Sequence, residues 1–301
     1  MNAVDFAVRP TAAQASPTSL PRAALLGWPD TVRYSGSAAI GLTLLAALAM
    51  LALIGPAWWP LHPETQDLAN RLAPPWGFGG TAAHPLGTDS LGRDTLARVI
   101  AGARVSLPLS VAATAAAGVV GVTLGVLAGY RGGWVDGIVS WLSDVQLAIP
   151  FVVFAIVVTA TFGHSVANIL LTLVVTGWVA YARVIRLQTQ ALRQAAWMEA
   201  ARAMGAGPVR LLGRHLLPNL AATVAILATQ QAGAMILYES SLSFLGLGLG
   251  GSTVTWGGMA ALGRDAVFTA PWAAAVPGAV IAAAMLGFNL TGDWLATRGR
   301  R

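Results

Sequence analysis

Apolar residues in this chain come in long runs that hold almost no charge, and polar residues collect between the runs. A helix needs about 20 mostly apolar residues to cross the hydrocarbon core of a bilayer. Six runs come close to that length: 38–57, 105–130, 138–162, 166–182, 220–242 and 272–290. The pattern predicts an all-α polytopic membrane protein with six transmembrane helices. Trp58, Trp59, Trp134 and Trp272 stand at or beside the expected ends, where amphipathic rings favour the headgroup level.

Composition supports a bilayer setting and then orients the chain. Charged residues make up 10% of 301 positions, against about 25% in a typical soluble domain. The 18 basic residues are all arginine, set against 12 acidic ones. With both termini in the cytoplasm, the inner segments hold 13 arginines and the outer ones 5, and the positive-inside rule selects this orientation. The net charge of +6 is thus mostly a topology signal. Its spread over separate loops argues against nucleic-acid binding.

The empty columns exclude whole classes of chemistry. Without lysine there is no Walker A loop, whose lysine reaches the nucleotide phosphates, and no Schiff base. ATP hydrolysis linked to this protein must occur on another chain. Without cysteine there is no disulfide or thiolate nucleophile, and the four histidines lack ligand spacing, so no metal site and no catalytic residue is expected.

The chain divides into a cytoplasmic tail over 1–33, rich in Ala, Pro, Ser and Thr and expected to be disordered; a first helix with an outer segment over 34–104; and a core of five helices over 105–301. A signal peptide is the rival reading of the first 57 residues. Against it, the apolar run ends in Pro56-Ala57-Trp58-Trp59-Pro60, unlike a small-residue cleavage site.

The outer segment begins loop-like, with Pro63, Pro74, Pro75, Gly77, Gly79 and Gly80 as breakers. Further on, Thr88 or Asp89 is positioned to cap an amphipathic helix that carries Leu96, Val99, Ile100, Ala103 and Leu107 at helical spacing. Asp94 and Arg98 are four apart, in the favourable acid-first order. Thr88, Asp89, Gly92, Arg93 and Asp94 read either as a structured cap and turn or as an outer docking or gating element.

The cytoplasmic stretch over 183–218 holds six arginines and one acid, Glu199. Ala195 to Met204 has high helix propensity. Gly205 and Pro208 then break the helix, and a second short helix is expected over 208–216 before Pro218-Asn219. Small residues at Ala200, Ala201, Ala203 and Gly205 leave one side of this excursion thin. It is either a knob for a partner's groove or an interfacial helix pair with snorkelling arginines.

Polar residues within spans are functional candidates. Asp144 lies six residues before Pro150, which is expected to kink the span over 138–162; it is placed either in the pathway or in a pair with Arg131 or an arginine of the 183–218 loop. Gln230 and Gln231 either join helices or line a path. Glu239 is either a gate or a partner of Arg264. An ion-coupled secondary transporter is the alternative function, but it usually needs midplane charge, and the mid-span positions nearly lack it. An intramembrane serine protease would need a mid-span histidine.

Several segments resemble a known family. Glu199-Ala200-Ala201, Gly205 and Leu217-Pro218 resemble the "EAA" loop of ABC importer permeases, with His215 where isoleucine is frequent. Arg214-His215-Leu216-Leu217-Pro218-Asn219, the stretch from His84 to Asp94, Glu239-Ser240-Ser241-Leu242-Ser243-Phe244-Leu245-Gly246 and Phe288-Asn289-Leu290-Thr291-Gly292-Asp293 are similar to its dipeptide, oligopeptide and nickel branch. The resemblance implies the type I ABC importer fold and one of two non-identical permease subunits in a bacterial plasma (inner) membrane. It also implies that the loop over 195–218 is a coupling helix seated on a separate ATPase. The implied partners are a second homologous permease, two ATP-binding cassette subunits that use ATP and Mg, an extracytoplasmic substrate-binding protein and the lipid bilayer. No cofactor is implied on this chain.

Overall fold

The computed structural model describes residues 30–60, 62–250 and 253–298. The tail expected over 1–33 lies, up to residue 29, outside the described residues. Asp30 already begins the first helix. Ten helices follow in order among the described residues: α1 Asp30–Trp58, α2 Thr95–Arg131, α3 Gly133–Ala148, α4 Phe151–Phe162, α5 Val166–Arg193, α6 Ala196–Ala203, α7 Pro208–Arg210, α8 Leu217–Phe244, α9 Trp256–Gly263 and α10 Trp272–Arg298. Among the described residues, five stretches are long and apolar enough to cross a membrane, and a sixth is reached if α3 and α4 form one bent span.

That bend falls within the span expected over 138–162, and it turns the kink expected at Pro150 into a full break. α3 and α4 meet at 86°. Pro150 has no N–H and its ring disfavours helical geometry at the preceding residue, so Ile149 is extended, with φ −92° and ψ 117°. The 12 residues of α4 cover only about 18 Å at 1.5 Å per residue, too little to cross alone.

Two other expected elements are longer than their apolar runs. The amphipathic helix before the second span is not separate: α2 is continuous over 37 residues. The short helix expected over 208–216 also runs on without a break, so that the apolar stretch is Pro208–Phe244. A π-type turn over Leu211–Leu216 joins α7 to α8, with the Leu217 N–H donating to the Leu212 carbonyl five residues back. Pro218 explains this widening. It cannot donate to the Arg214 carbonyl, and its ring would crowd that carbonyl in a regular turn. Beside it, Asn219 Nδ2 donates to the His215 carbonyl (2.6 Å).

The helices pack by small residues, because between lipid-bathed helices close backbone approach replaces the hydrophobic effect. On α2, Gly121, Gly125 and Gly129 recur every fourth residue. A side chain there would strike the carbonyl oxygens of Trp178, Ala182 and Arg186 on α5. Gly41 and Gly287 face each other in the same way across α1 and α10. Trp256 fills the space between α2 and α9, fully buried, with Nε1 donating to the Val99 carbonyl (3.1 Å). The bundle thus has two ends: one carries the segment ahead of α2, the other carries α6.

Candidate functional site

At the α6 end the chain leaves α5 after Arg193 and turns back through α6. The helix stops in a Schellman motif. Gly205 adopts φ +83°, its N–H donates to the Arg202 carbonyl (2.9 Å), and the Ala206 N–H donates to the Ala201 carbonyl (3.1 Å). A left-handed residue at this position favours glycine strongly. Pro208 then opens α7, where its missing N–H costs nothing.

Met198 and Ala201, three apart on one face of α6, are buried against Val126, Ile185, Leu211, Leu216 and Leu220. Ala201, one of the small residues expected to leave one side of the excursion thin, therefore belongs to the packed side. The opposite surface is open: Glu199, Ala200, Arg202, Ala203 and Gly205 are exposed, and Met204 and Val209 are 82% and 84% exposed. Leu217 and Pro218 are exposed too, but they lie on the continuous helix rather than in the turn. Sequence reasoning missed Met198 as the anchor; its spacing from Ala201 was the available signal. Arg183 and Arg186, expected in the loop, lie on α5. Arg183 pairs with Asp144, and Arg186 pairs with Asp136 through Nε and Nη2 (2.8 Å). These pairs tie α3 to α5 close to the turn.

At the other end, the segment ahead of α2 folds around buried polar residues. Thr88 is fully buried. Its hydroxyl donates to the Asn70 carbonyl (2.5 Å) and accepts from the Ala73 N–H (2.8 Å), and its carbonyl accepts from Trp272 Nε1 on α10 (3.2 Å). Gly92, at φ +73°, packs so closely on the Asp67 backbone that no side chain fits. Asp67 itself is exposed, and the Asn70 side-chain amide holds its carboxyl below the usual carboxylate range.

Neither Thr88 nor Asp89 caps α2. Asp94 does, its Oδ2 accepting from the Ala97 N–H (2.9 Å) and from Trp59 Nε1 (2.7 Å). The expected Asp94–Arg98 side-chain pair does not form, because both residues find partners distant in sequence. Arg98 Nη1 donates to Glu64 (2.9 Å) and to the Pro63 carbonyl (2.9 Å). Arg93 Nε donates to Asp89 (2.7 Å) and its Nη1 to Glu64 (3.2 Å). Glu64 carried no sequence signal; it lies about 30 residues from both arginines, in a stretch without periodicity.

The four in-span candidates do not form one site. Gln230 is exposed. Gln231 Nε2 donates to the Gly177 carbonyl (3.3 Å), joining α8 to α5. Glu239 is fully buried. It does not meet Arg264, which lies over the Phe244 ring and beside Asp265. Its carboxylate accepts from Ser243 Oγ (2.9 Å) and Ser240 Oγ (3.4 Å), with Ser106 of α2 as a third partner. Three hydroxyls thus satisfy a buried carboxyl that has no cation beside it among the described residues.

Comparison with known proteins fits this layout. Residues 121–299 match the family described as binding-protein-dependent transport system inner membrane component, and residues 34–75 match the N-terminal TM domain of oligopeptide transport permease C. The dipeptide transport system permease protein DppC of Alkalihalophilus pseudofirmus is 34% identical over 258 residues, covering 86% of this chain and 83% of that protein. The oligopeptide transport system permease protein OppC of Bacillus subtilis is 32% identical over 271 residues, covering 89% and 87%. The nickel transport system permease protein NikC of Escherichia coli K12 is 34% identical over 259 residues, covering 86% and 92%. The chain belongs to the family of binding-protein-dependent transport system inner membrane components, as a multi-pass permease.

Proposed function

We propose that this chain is one of two non-identical permease subunits of an ATP-driven importer for peptides or nickel-type ligands. In this reading α3 and α4 form one broken span, giving six spans and the type I importer fold, and both termini face the cytoplasm as the arginine bias requires. The α6 turn then faces the cytoplasm and seats in a groove on a separate ATPase subunit. A second homologous permease completes the pathway, two ATP-binding cassette subunits use ATP and Mg, and an extracytoplasmic binding protein delivers the ligand. This chain, lacking lysine, supplies the pathway and the coupling surface.

The observation that carries the reading is the α6 turn. Its inner face is pinned by Met198 and Ala201, while its outer face exposes Met204 and Val209 at the end of a bundle. Exposed apolar residues on a rigid, small-residue knob suit a protein groove. Rigid attachment to α5 and α8 makes the knob move with the spans.

The test replaces Glu199 by Arg and Gly205 by Trp in the complete importer. Both variants are expected to lose most ligand uptake while the ATPase subunits still hydrolyse ATP. Normal uptake by both would overturn the coupling assignment.

A further inference from the structure

A cavity of about 420 Å³ lies at the end of the bundle opposite α6, between the start of α2, the end of α8 and α9. That size falls within the range of about 300–1,000 Å³ usual for small-molecule sites. Its wall includes Glu64, Arg93, Arg98, Ser243, Gly246 and Thr255. Arg93 and Arg98 are only 6% and 5% exposed, which is unusual for arginine without full pairing.

Their partners differ in how firmly they are held. Asp89 is locked: its Oδ1 accepts from the Leu91 N–H (2.9 Å) and the Arg93 N–H (3.0 Å), and its Oδ2 accepts from Arg93 Nε (2.7 Å). Glu64 stands in a loop with its side chain 44% exposed, and its carboxylate meets Arg93 Nη1 and Arg98 Nη1 with no other hydrogen bond among the described residues. Arg93 Nη2 is buried and has no acceptor among the described residues. A buried donor left unused costs free energy that an entering acceptor would recover.

We propose that this cavity is a carboxylate-binding site in which Glu64 is an exchangeable, tethered occupant. An incoming carboxylate accepts from Arg93 Nη2 and displaces Glu64 from the two Nη1 atoms. The planar guanidinium forks suit a carboxylate better than a spherical anion. With Glu64 swung out, Arg93 and Arg98 against Asp89 leave one net positive charge, which matches a monoanion. The source is either the free carboxylate of a small ligand such as a peptide terminus, or an acidic side chain of the delivering binding protein. The choice of these two sources rests on the importer reading; the binding chemistry does not.

The experiment uses the membrane complex of both permeases and both ATPase subunits in lipid nanodiscs, without the binding protein, titrated calorimetrically with glycylglycine and with its C-terminal amide. The acid is expected to saturate and the amide to show no binding. Glu64→Gln removes the competing charge and is expected to tighten acid binding about tenfold, whereas Arg93→Lys loses the fork and weakens it about tenfold. A purely structural role for Glu64 predicts no tightening. Equal response to acid and amide, or unchanged or weaker binding in Glu64→Gln, would overturn the site. Glu64→Gln lies at the rim, so it reports even if Arg93→Lys fails to assemble.

A second arm measures docking of ligand-free binding protein to the wild-type and Glu64→Gln complexes. Tighter docking to Glu64→Gln identifies an acidic side chain of the binding protein as the natural occupant, and equal docking identifies the ligand carboxylate. A complex that imports in an ATP-dependent way but cannot tell acid from amide removes this site and leaves the importer reading intact.

Discussion

The α6 turn closes on itself with hydrogen bonds between residues no more than five apart, from Ala206 back to Ala201 and from Gly205 back to Arg202. The segment ahead of α2 is held by partners as distant as Trp272, 184 residues from Thr88. The contrast extends to surface chemistry. The α6 turn exposes Met204 and Val209 and hides apolar anchors. The other segment hides Thr88, Asp89 and Arg93 and exposes Trp76 and Phe78. The coupling role proposed for the α6 turn needs a knob with its own rigidity, which local capping supplies. A segment welded by distant contacts cannot change shape without disturbing the helices it joins, so it reports on their arrangement.

Three substitutions separate these two modes of construction. Asp89→Ala is expected to have the largest effect on stability. It leaves Arg93 and Arg98 buried with only Glu64, and breaking a buried ion pair costs about 3–5 kcal/mol. Thermal unfolding in detergent should show a lower midpoint, with protein level and uptake falling together. Gly205→Ala forces a side chain into a left-handed conformation, at a cost of about 1–2 kcal/mol. Here uptake should fall more than the amount of folded protein, because the end of α6 shifts. Met204→Ala removes an exposed side chain and should change stability by less than about 0.5 kcal/mol. Yet uptake per folded molecule should drop, since the change falls on the open face of the knob. If Met204→Ala transports normally and Asp89→Ala spares stability, the contrast between the two regions fails at both ends.

How far each region is legible in the sequence follows the same division. The helix–glycine–proline logic of 195–208 is local, so Gly205 and Pro208 suffice to place the turn. The spans were legible from their apolar runs, but their ends were not. α2 begins at its Asp94 cap, well ahead of the apolar run, and α5 carries Arg183, Arg186 and Arg193 within the helix, because helix continuity obeys backbone bonding rather than hydropathy. Pro150 marked a kink, but a right-angle break depends on how α4 finds its neighbours, which periodicity does not encode. Glu64 with Arg93 and Arg98, and Ser106 with Glu239, are pairings across separate elements and had no local sign. The Gly121, Gly125 and Gly129 stripe was visible as a four-residue repeat and is a signal that hydropathy counting passes over.

That stripe has a mechanical consequence. α2 is about 55 Å long at 1.5 Å per residue, one end set in the Asp89 cluster and the other packed through Val126 in the same cluster as Met198. Along it, glycine places the α2 backbone directly against the α5 backbone, leaving no side chain between them to yield. Two rods laminated in this way resist sliding past each other and move most easily as a single beam. A tilt imposed at one face is then delivered at the opposite face as a displacement in proportion to the distance from the pivot.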